Sequence, residues 1–308
     1  MKRIKIVAIV GPTAAGKTAL AITLARLFDG EIISADSMQV YRGMDTGTAK
    51  PSKKDRTLVH HHLIDVVSPD EDYSAACFER DAEAAIADIN LRGKRIFLVG
   101  GAGLYVRAVL AGLFEGPGGH GELRERFAME ARLYGREHLF RELERVDPLS
   151  ASRIHPNNIH RVMRALEVYC STGRPISQWH SGHGLGKEKY ETLKVGLIKE
   201  RDALYRDIEK RVDRMVEDGL AEEVQRLLDM GFSPELKPMR SLGYREMGDY
   251  LSGARTLEDA VMEIKKNTRN YAKRQITWFK KDKDIAWFSP EDKTGIIALV
   301  RDFHACKG

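Results

Sequence analysis

The stretch that decides the fold is Gly11-Pro12-Thr13-Ala14-Ala15-Gly16-Lys17-Thr18. It matches the pattern G-x-x-x-x-G-K-[ST], in which backbone N–H groups and a helix N-terminus surround a phosphate. An apolar, β-branched run from Ile4 to Val10 precedes it and predicts a buried strand, and Ala19 to Phe28 predict a helix after it. We therefore predict a phosphate-binding loop for a pyrophosphate-type ligand. In such a loop Lys17 reaches the terminal phosphate and the Thr18 hydroxyl can bind Mg²⁺.

An alternation of strand and helix patterns continues to about residue 110. Glu31 to Ala35 and Arg95 to Val99 are short apolar runs that predict buried strands. Tyr73 to Leu91 and Leu104 to Leu110 predict helices. Alternating strands and helices form a parallel sheet whose ligand loops follow the carboxyl ends of the strands. The predicted fold class is α/β: a P-loop-type parallel sheet core flanked by helices.

The pattern changes after Gly112. Two glycine-rich stretches, 116–121 and 181–186, enclose two predicted helices without a strand: Glu122 to Val146 and Asn158 to Ser171. A strand pattern returns at Leu193 to Ile198, and the chain then continues in three predicted helices: Arg201 to Met230, Ser241 to Leu251 and Leu257 to Lys281. We expect a P-loop core with C-terminal helices, residues 1–115 and 190–308, and an all-helical insertion domain at 116–189.

The composition excludes several classes of protein. The 308 residues are 43% hydrophobic and 31% charged, which is enough for a large core in one or two domains. No apolar run approaches the roughly 20 residues of a membrane span, and the first strand leads directly into the phosphate loop, so it is not a signal peptide. The three cysteines form no C-x-x-C pair. We therefore expect a cytoplasmic protein without a zinc site or a disulfide framework. A monomer is also expected.

Basic residues interleaved with aromatic ones favour nucleic acid as a partner. The net charge of +5 is mild, but residues 265–283, KKNTRNYAKRQITWFKKDK, are rich in Lys and Arg around three aromatic rings. Cations bind phosphates and rings stack on bases. Two further basic clusters occur, one at His160, Arg161 and Arg164 and one at Arg240, Tyr244 and Arg245. Three such clusters exceed what a small-molecule kinase requires.

Two further features carry candidate chemistry. Asp36 ends the second predicted strand, where a carboxylate can be a general base or a metal partner, although a turn or N-cap role is equally common there. Arg211 and Arg214 lie three residues apart on a predicted helix and suit a phosphate leaving group. A solvated face paired with Glu209 and Asp213 is the preferred interpretation unless that helix faces the loop.

The run His60-His61-His62 has an alternative to metal binding. Successive residues of a strand point to opposite faces, so three adjacent histidines rarely share one ion. We therefore expect a polar loop that enters a strand at Leu63 to Val67.

The whole chain resembles the tRNA dimethylallyltransferases, also called isopentenyl-diphosphate:tRNA transferases. The matching segments are GPTAAGKT at 11–18, ISADSMQVYRGMDTGTAKP at 33–51, HHLIDVVSPDEDYSAACF at 61–78, VGGAGLYVRAVL at 99–110, HPNNIHRVMRALEVY at 155–169, RVDRMVEDGLAEEV at 211–224, SLGYREM at 241–247 and NTRNYAKRQITWFKK at 267–281. The resemblance implies transfer of a dimethylallyl group from dimethylallyl diphosphate to N6 of the adenosine 3′ of the anticodon, in tRNAs that read codons beginning with U. The phosphate loop would then hold the donor's diphosphate rather than ATP.

The resemblance also implies roles for individual residues. Asp36 would take the N6 proton, while Lys17, Thr18 and Arg211 would neutralise the departing diphosphate and Thr18 would contact Mg²⁺. The insertion would clamp the anticodon loop. The implied tRNA contacts are Asp36, Ser37, Met38, Gln39, Ala102, Arg124, His160, Arg161, Val162, Met163, Arg164, Arg240, Ser241, Leu242, Gly243, Tyr244, Arg245, Lys273, Arg274, Gln275, Ile276, Thr277, Trp278, Phe279 and Lys280.

This sequence departs from the family pattern at a few positions. Ala102 stands where threonine is usual, and the lost hydroxyl normally helps to hold the base and the adenosine. His60 stands in place of proline, and His160 in place of Gln or Arg. Three other functions remain as alternatives: a P-loop small-molecule kinase, an RNA-binding protein with a regulatory phosphate loop, and a transferase that prenylates free adenine nucleotides.

Overall fold

One parallel sheet organises the larger part of the molecule. The computed structural model describes residues 3–113, 121–182 and 189–306. Within these ranges six strands form the sheet: β1 (Lys5–Val10), β2 (Gly30–Ser34), β3 (His61–His62), β4 (Arg95–Gly100), β5 (Glu191–Leu197) and β6 (Ala286–Phe288). Their order is β3-β2-β4-β1-β5-β6, with every pair parallel. The predicted α/β fold class is confirmed. Because the carboxyl ends of parallel strands share one edge, the loops after β1, β2 and β4 meet there.

The helices of the described residues are α1 (Lys17–Leu27), α2 (Lys53–Leu58), α3 (Ala75–Leu91), α4 (Gly103–Ala111), α5 (Gly121–Leu133), α6 (Arg136–Val146), α7 (Pro148–Ala151), α8 (Ile159–Thr172), α9 (Ile176–Gly182), α10 (Arg201–Glu217), α11 (Leu220–Asp229), α12 (Tyr244–Leu251), α13 (Leu257–Phe279) and α14 (Lys293–Ala305). The chain divides into two compact units. One comprises Met1–Gly112 with Glu188–Gly308, and the other Leu113–Lys187. Helices α5 to α9 make up the second unit, which contains no strand among its described residues.

The sheet is covered on both faces, which explains why its strands are apolar without alternation. Ile6 and Ala8 of β1 belong to a core that includes residues of α3, α4, α11 and α12. Val7 and Ile9 point to the opposite face and pack with residues of α1 and α14. All four side chains are fully buried. The central strand β1 is therefore fixed from both sides, which holds the loop that follows it in place.

The helical unit has its own core and one buried charge. Phe127, Leu139 and Leu166 lie at the centre of this core. The Glu167 carboxylate is fully buried and lies 3.1 Å from Arg124 Nε and 2.8 Å from Arg164 Nη1. A buried carboxylate needs such cations because desolvation of an unpaired charge is costly. Arg124 and Arg164 therefore stabilise this unit from within.

Some predicted elements were wrong in position or extent. The strand predicted at Leu63 to Val67 lies instead at His61–His62, and Leu63 and Asp65 have φ of 62° and 58°, which end the extended chain. The helices predicted at Glu122 to Val146 and Arg201 to Met230 are each broken in two. The breaks lie at Gly135 and Gly219, whose φ values of 83° and 87° favour glycine. The helix predicted at Ser241 begins only at Tyr244.

The prediction also missed α2, β6 and α14, which cover short or weakly patterned segments. Residues 116–120 and 183–186 of the two predicted glycine-rich stretches lie outside the described residues. Among the described residues, no helix combines the length and the apolar character that a membrane crossing would require.

Candidate active site

The phosphate loop joins β1 to α1. Gly11 has φ of 141°, and a Cβ there would lie 2.5 Å from the carbonyl oxygen of Leu197, so only glycine fits. Gly16 (φ 90°) caps the start of α1 without a side-chain hydrogen bond, which leaves the first N–H groups of the helix free for a ligand. Lys17 Nζ donates a 2.6 Å hydrogen bond to the carbonyl of Pro12, which folds its side chain over the loop. The loop therefore has the geometry that its sequence predicts.

A cleft of about 1100 Å³ opens beside this loop. Its walls come from the phosphate loop, the turn after β2, residues 45–53, helix α10 and helix α13. All four residues predicted to be catalytic line it: Lys17, Thr18, Asp36 and Arg211. The sheet edge brings the first three together, and α10 adds the fourth.

The cleft carries an excess of positive charge at the loop. The pKa of Lys17 is lowered to about 7, chiefly by removal from bulk water and next by the nearby Arg211 charge, while the Asp36 carboxylate partly offsets both. Burial also lowers the pKa of Arg211, again with Asp36 acting in the opposite direction. The Lys17 and Arg211 cations therefore repel each other, and the Asp36 carboxylate attracts both. A bound anion would relieve this repulsion, so the site favours a phosphate or diphosphate group.

Asp36 combines a structural role with exposure to the cleft. Its Oδ1 accepts hydrogen bonds from the backbone N–H groups of Met38 (2.9 Å) and Gln39 (3.3 Å), so the turn interpretation is confirmed. Its Oδ2 accepts none from the described residues. Burial, and then the Asp36 charge, raise the pKa of Tyr271 to about 12, which places the carboxylate beside the α13 wall of the cleft. One oxygen is therefore held in place while the other remains available.

Helix α10 faces the loop, which was the condition for a functional Arg211. Glu209 Oε1 binds Arg269 Nη1 at 2.6 Å and Asp213 Oδ1 binds Lys265 Nζ at 2.6 Å, both on α13. The alternative in which these two acids pair with Arg211 and Arg214 is therefore wrong. The ion pairs fix α10 against α13 and leave Arg211 directed at the cleft, where it reaches the carbonyl of Thr48 at 3.4 Å.

Comparison with known proteins identifies the family of this chain. The family model described as IPP transferase matches residues 39–282, and the isopentenyl transferase model matches residues 4–65. The chain is 54% identical to tRNA dimethylallyltransferase 2 of Geotalea uraniireducens, over 98% of each chain. This chain belongs to the IPP transferase family. It is also 52% identical to tRNA dimethylallyltransferase 1 of Pelobacter propionicus, over 95% of each chain.

Solved structures of similar proteins share this fold. The full-length tRNA isopentenylpyrophosphate transferase of Bacillus halodurans is 42% identical, with a TM-score of 0.72 over 97% of this chain and 96% of that one. A eukaryotic dimethylallyltransferase solved acting on tRNA is 29% identical, with a TM-score of 0.85 over 98% of this chain and 80% of that one. The fold of this IPP transferase is therefore known from experiment in its relatives.

The residues predicted to contact tRNA differ widely in exposure. Those with exposed side chains are Arg124, His160, Arg161, Arg240, Arg245, Lys273, Arg274, Thr277 and Lys280. Those partly exposed are Asp36, Ser37, Met38, Ala102, Met163, Arg164, Ser241, Leu242, Ile276 and Trp278. The exposed basic residues of α13 share one helix with the cleft wall. They can therefore bind a polyanion next to the site.

Five predicted tRNA contacts have buried side chains in this structure: Gln39, Val162, Tyr244, Gln275 and Phe279. Val162 and Phe279 pack in hydrophobic cores. The Gln39 amide is used inside the protein, accepting from Ser34 Oγ at 2.9 Å and donating to the Thr48 carbonyl at 3.3 Å. Gln39, Tyr244 and Gln275 nevertheless line the cleft, and a tRNA contact for any of the five stays a prediction. Gly243 is also buried, and as a glycine it could contact tRNA only through its backbone.

Glu223 supports the wall of the cleft, and sequence reasoning missed it. Its carboxylate is buried and accepts hydrogen bonds from the backbone N–H groups of Asp45, Thr46 and Gly47 and, at 2.6 Å, from the hydroxyl of Tyr244. It thus anchors residues 45–47, which line the cleft. The signal in the sequence was an acid on the apolar face of α11.

Two residues of the histidine run lie beside Glu31 in a cluster of potential metal ligands. His60, His62 and Glu31 lie close enough to hold an ion, with their ligand atoms within 4.8 Å of one another. Both oxygens of Glu31, however, bind the Arg92 guanidinium, and Oε2 also lies 2.7 Å from His62 Nε2. An ion-pair network therefore explains the cluster. These contacts hold the Glu31 pKa low, at about 2, chiefly through Arg92.

Proposed function

We propose that this enzyme transfers the dimethylallyl group of dimethylallyl diphosphate to N6 of the adenosine 3′ of the anticodon, in tRNAs that read codons beginning with U, and releases diphosphate. The observation that carries the proposal is the cleft itself. It sets two cations and an open helix N-terminus on one side of a carboxylate that keeps one oxygen available. Membership of the IPP transferase family supports the reaction class.

The chain's own residues supply most of the chemistry. The phosphate loop binds the donor diphosphate, with Lys17 turning from the Pro12 carbonyl to the phosphate oxygens. Attack of the adenine N6 on C1 of the dimethylallyl group forms the C–N bond and breaks the C1–O bond, whose electron pair leaves with diphosphate. Lys17 and Arg211 neutralise that growing charge. The N6 proton passes to Oδ2 of Asp36, which its backbone contacts hold in place.

Mg²⁺ is the proposed cofactor, and the residues fit it. Thr18 lies in the first turn of α1, beside the cleft, and its side chain is exposed. The hydroxyl of a P-loop Ser or Thr needs such exposure to reach Mg²⁺. Mg²⁺ keeps several waters and binds through few protein ligands together with substrate phosphates. When bound it would neutralise part of the diphosphate charge.

Two separate RNA-binding surfaces are proposed: the exposed basic face of α13, and the exposed cations of the helical unit. Lys273, Arg274 and Lys280 would bind phosphates, and Arg274 also lies over the Tyr271 ring at 5.7 Å. We propose that the unit Leu113–Lys187 clamps the anticodon stem-loop. We propose further that the enzyme acts as a monomer and, with tRNA as its substrate, in the cytoplasm.

Direct detection of the product tests this function. The protein is incubated with Mg²⁺, dimethylallyl diphosphate and unmodified tRNA, and the digested tRNA is examined by mass spectrometry for dimethylallyl adenosine. Free AMP and ATP serve as alternative acceptors in parallel. Modification of free nucleotide in preference to tRNA, or rapid ATP hydrolysis in the absence of RNA, would contradict the proposal.

A further inference from the structure

The side chain of Gln275 connects the two loops that form the floor of the cleft. Gln275 lies on α13 with 6% of its surface exposed. Its Oε1 accepts a 2.8 Å hydrogen bond from the backbone N–H of Thr13 in the phosphate loop. Its Nε2 donates a 3.0 Å hydrogen bond to the carbonyl of Gly101 in the loop after β4. One amide thus uses its acceptor on one loop and its donor on the other.

The loop after β4 has room for this amide because it lacks side chains at the point of contact. A Cβ at Gly101 would lie 2.2 Å from Gln275 Nε2, so any other residue would displace the side chain. The same loop rests on the end of β2. A Cβ at Gly100 would lie 2.0 Å from the carbonyl oxygen of Ala35, and Ala102 N–H donates to that same oxygen at 3.4 Å. Ala35 immediately precedes Asp36.

A continuous series of contacts therefore runs from the phosphate loop through Gln275 and the Gly100–Ala102 loop to the backbone of Asp36. We propose that Gln275 is a positioning residue that fixes the diphosphate-binding loop relative to the Asp36 carboxylate. This inference rests on the proposed function. It assigns Gln275 a role inside the protein, in place of the tRNA contact that its position in the sequence suggests.

The position of Gln275 on α13 gives this role a further consequence. Its neighbours Lys273 and Arg274 are exposed, so one turn of helix carries both the proposed RNA-binding face and the buried amide. A shift of α13 on RNA binding would move Thr13 and Gly101 together. Reacting groups that are misplaced by about 1 Å can lose about 10²-fold in rate, so a rigid connection at this point matters.

Three variants test the proposal: Gln275→Leu, Gln275→Glu and, as a matched control, Gln225→Leu at an exposed position of α11. Gln275→Leu removes both hydrogen bonds at similar volume. We expect kcat to fall by about 10²-fold and the affinity for inorganic diphosphate, measured by calorimetry, to fall by roughly tenfold. The Kd for tRNA should stay within about twofold, and Gln225→Leu should match the wild type.

The Gln275→Glu variant separates positioning from mere stability. An ionised carboxylate still accepts from Thr13 but cannot donate to Gly101. A protonated carboxyl does both, as the amide does, and burial beside a carbonyl raises its pKa. The ratio of Gln275→Glu to wild-type activity should therefore rise as the pH falls, while the ratio for Gln275→Leu stays flat.

Two results would overturn the inference. One is an unchanged affinity for diphosphate in Gln275→Leu, which can be measured whether or not the wild type transfers a prenyl group. The other is a loss of tRNA affinity with unchanged kcat at saturating tRNA, which would make Gln275 a tRNA contact. Failure of the proposed function has a different signature, since the wild type itself would then form no dimethylallyl adenosine.

Discussion

The lowered pKa of Lys17 predicts how diphosphate binding depends on pH. In the free enzyme, burial and the Arg211 charge bring this pKa to about 7. A bound diphosphate places negative charge at the amine and raises the pKa again. Binding therefore selects the protonated amine, and at neutral pH the enzyme takes up a proton when the ligand binds.

The magnitude follows from that single pKa. About nine-tenths of the Lys17 side chains carry the proton at pH 6 and about one-tenth at pH 8, so the affinity for dimethylallyl diphosphate should fall roughly tenfold between them. Proton uptake should be about half a proton per site at pH 7 and about 0.9 at pH 8. The terminal phosphate of the ligand, with a pKa near 6, loses its proton as the pH rises. That change strengthens binding to cations, so it cannot produce the predicted decrease.

Calorimetry in two buffers of different ionisation enthalpy measures both quantities at each pH. Lys17→Arg is the matched control, because its guanidinium stays protonated throughout the range and should abolish the uptake. Lys17→Ala should weaken binding at every pH and leave the Kd for tRNA near that of the wild type. Wild-type affinity that is constant from pH 6 to pH 8, or proton release on binding, would refute the reasoning.

Three further outcomes are expected. Replacing Lys273, Arg274 and Lys280 by neutral residues should weaken the binding of all tRNAs alike. The slope of log Kd against log salt concentration, measured by filter binding, should fall by roughly two units. Glu223→Ala should lower the free energy of unfolding by about 1–3 kcal/mol in urea, because it leaves several buried donors without an acceptor. Ala102→Thr should raise it by about 1 kcal/mol, because Ala102 caps α4 without a side-chain hydrogen bond.

Matched controls decide these three predictions. Neutralising the exposed cations Arg26, Lys293 and Arg301 on α1 and α14 should leave the salt slope unchanged; an equal effect there would mean that only net charge matters. Glu222→Ala, on the exposed side of α11, should lower the free energy of unfolding far less than Glu223→Ala does. Ala102→Val should not raise the free energy of unfolding as Ala102→Thr does, since valine has the shape of threonine without its hydroxyl.

Local sequence patterns predicted the phosphate loop and the sheet because neighbouring residues determine both structures. Residues 11–18 carry a loop whose conformation depends on glycine at set positions, and buried strands have an apolar signature of their own. Helix breaks were harder to predict. Gly135 and Gly219 lie within runs whose pattern is helical on both sides, and only their positive φ ends the helix.

The long-range contacts of the site could not be read from sequence. The resemblance implies a tRNA contact for Gln275, but its helix places it between Thr13 and Gly101, more than 170 residues away in sequence from either. For Arg211 the residues alone favour a solvated helix face. Its role depended on the partners of Glu209 and Asp213, and these lie on another helix.

Single-turnover transfer by Asp36→Asn tests the central claim most directly. The amide keeps the shape and the backbone contacts of Asp36 but cannot accept the N6 proton. With both substrates bound at saturation, we expect dimethylallyl adenosine to form at least about 10²-fold more slowly than in the wild type, with the thermal midpoint little changed. Near wild-type turnover in Asp36→Asn would contradict it.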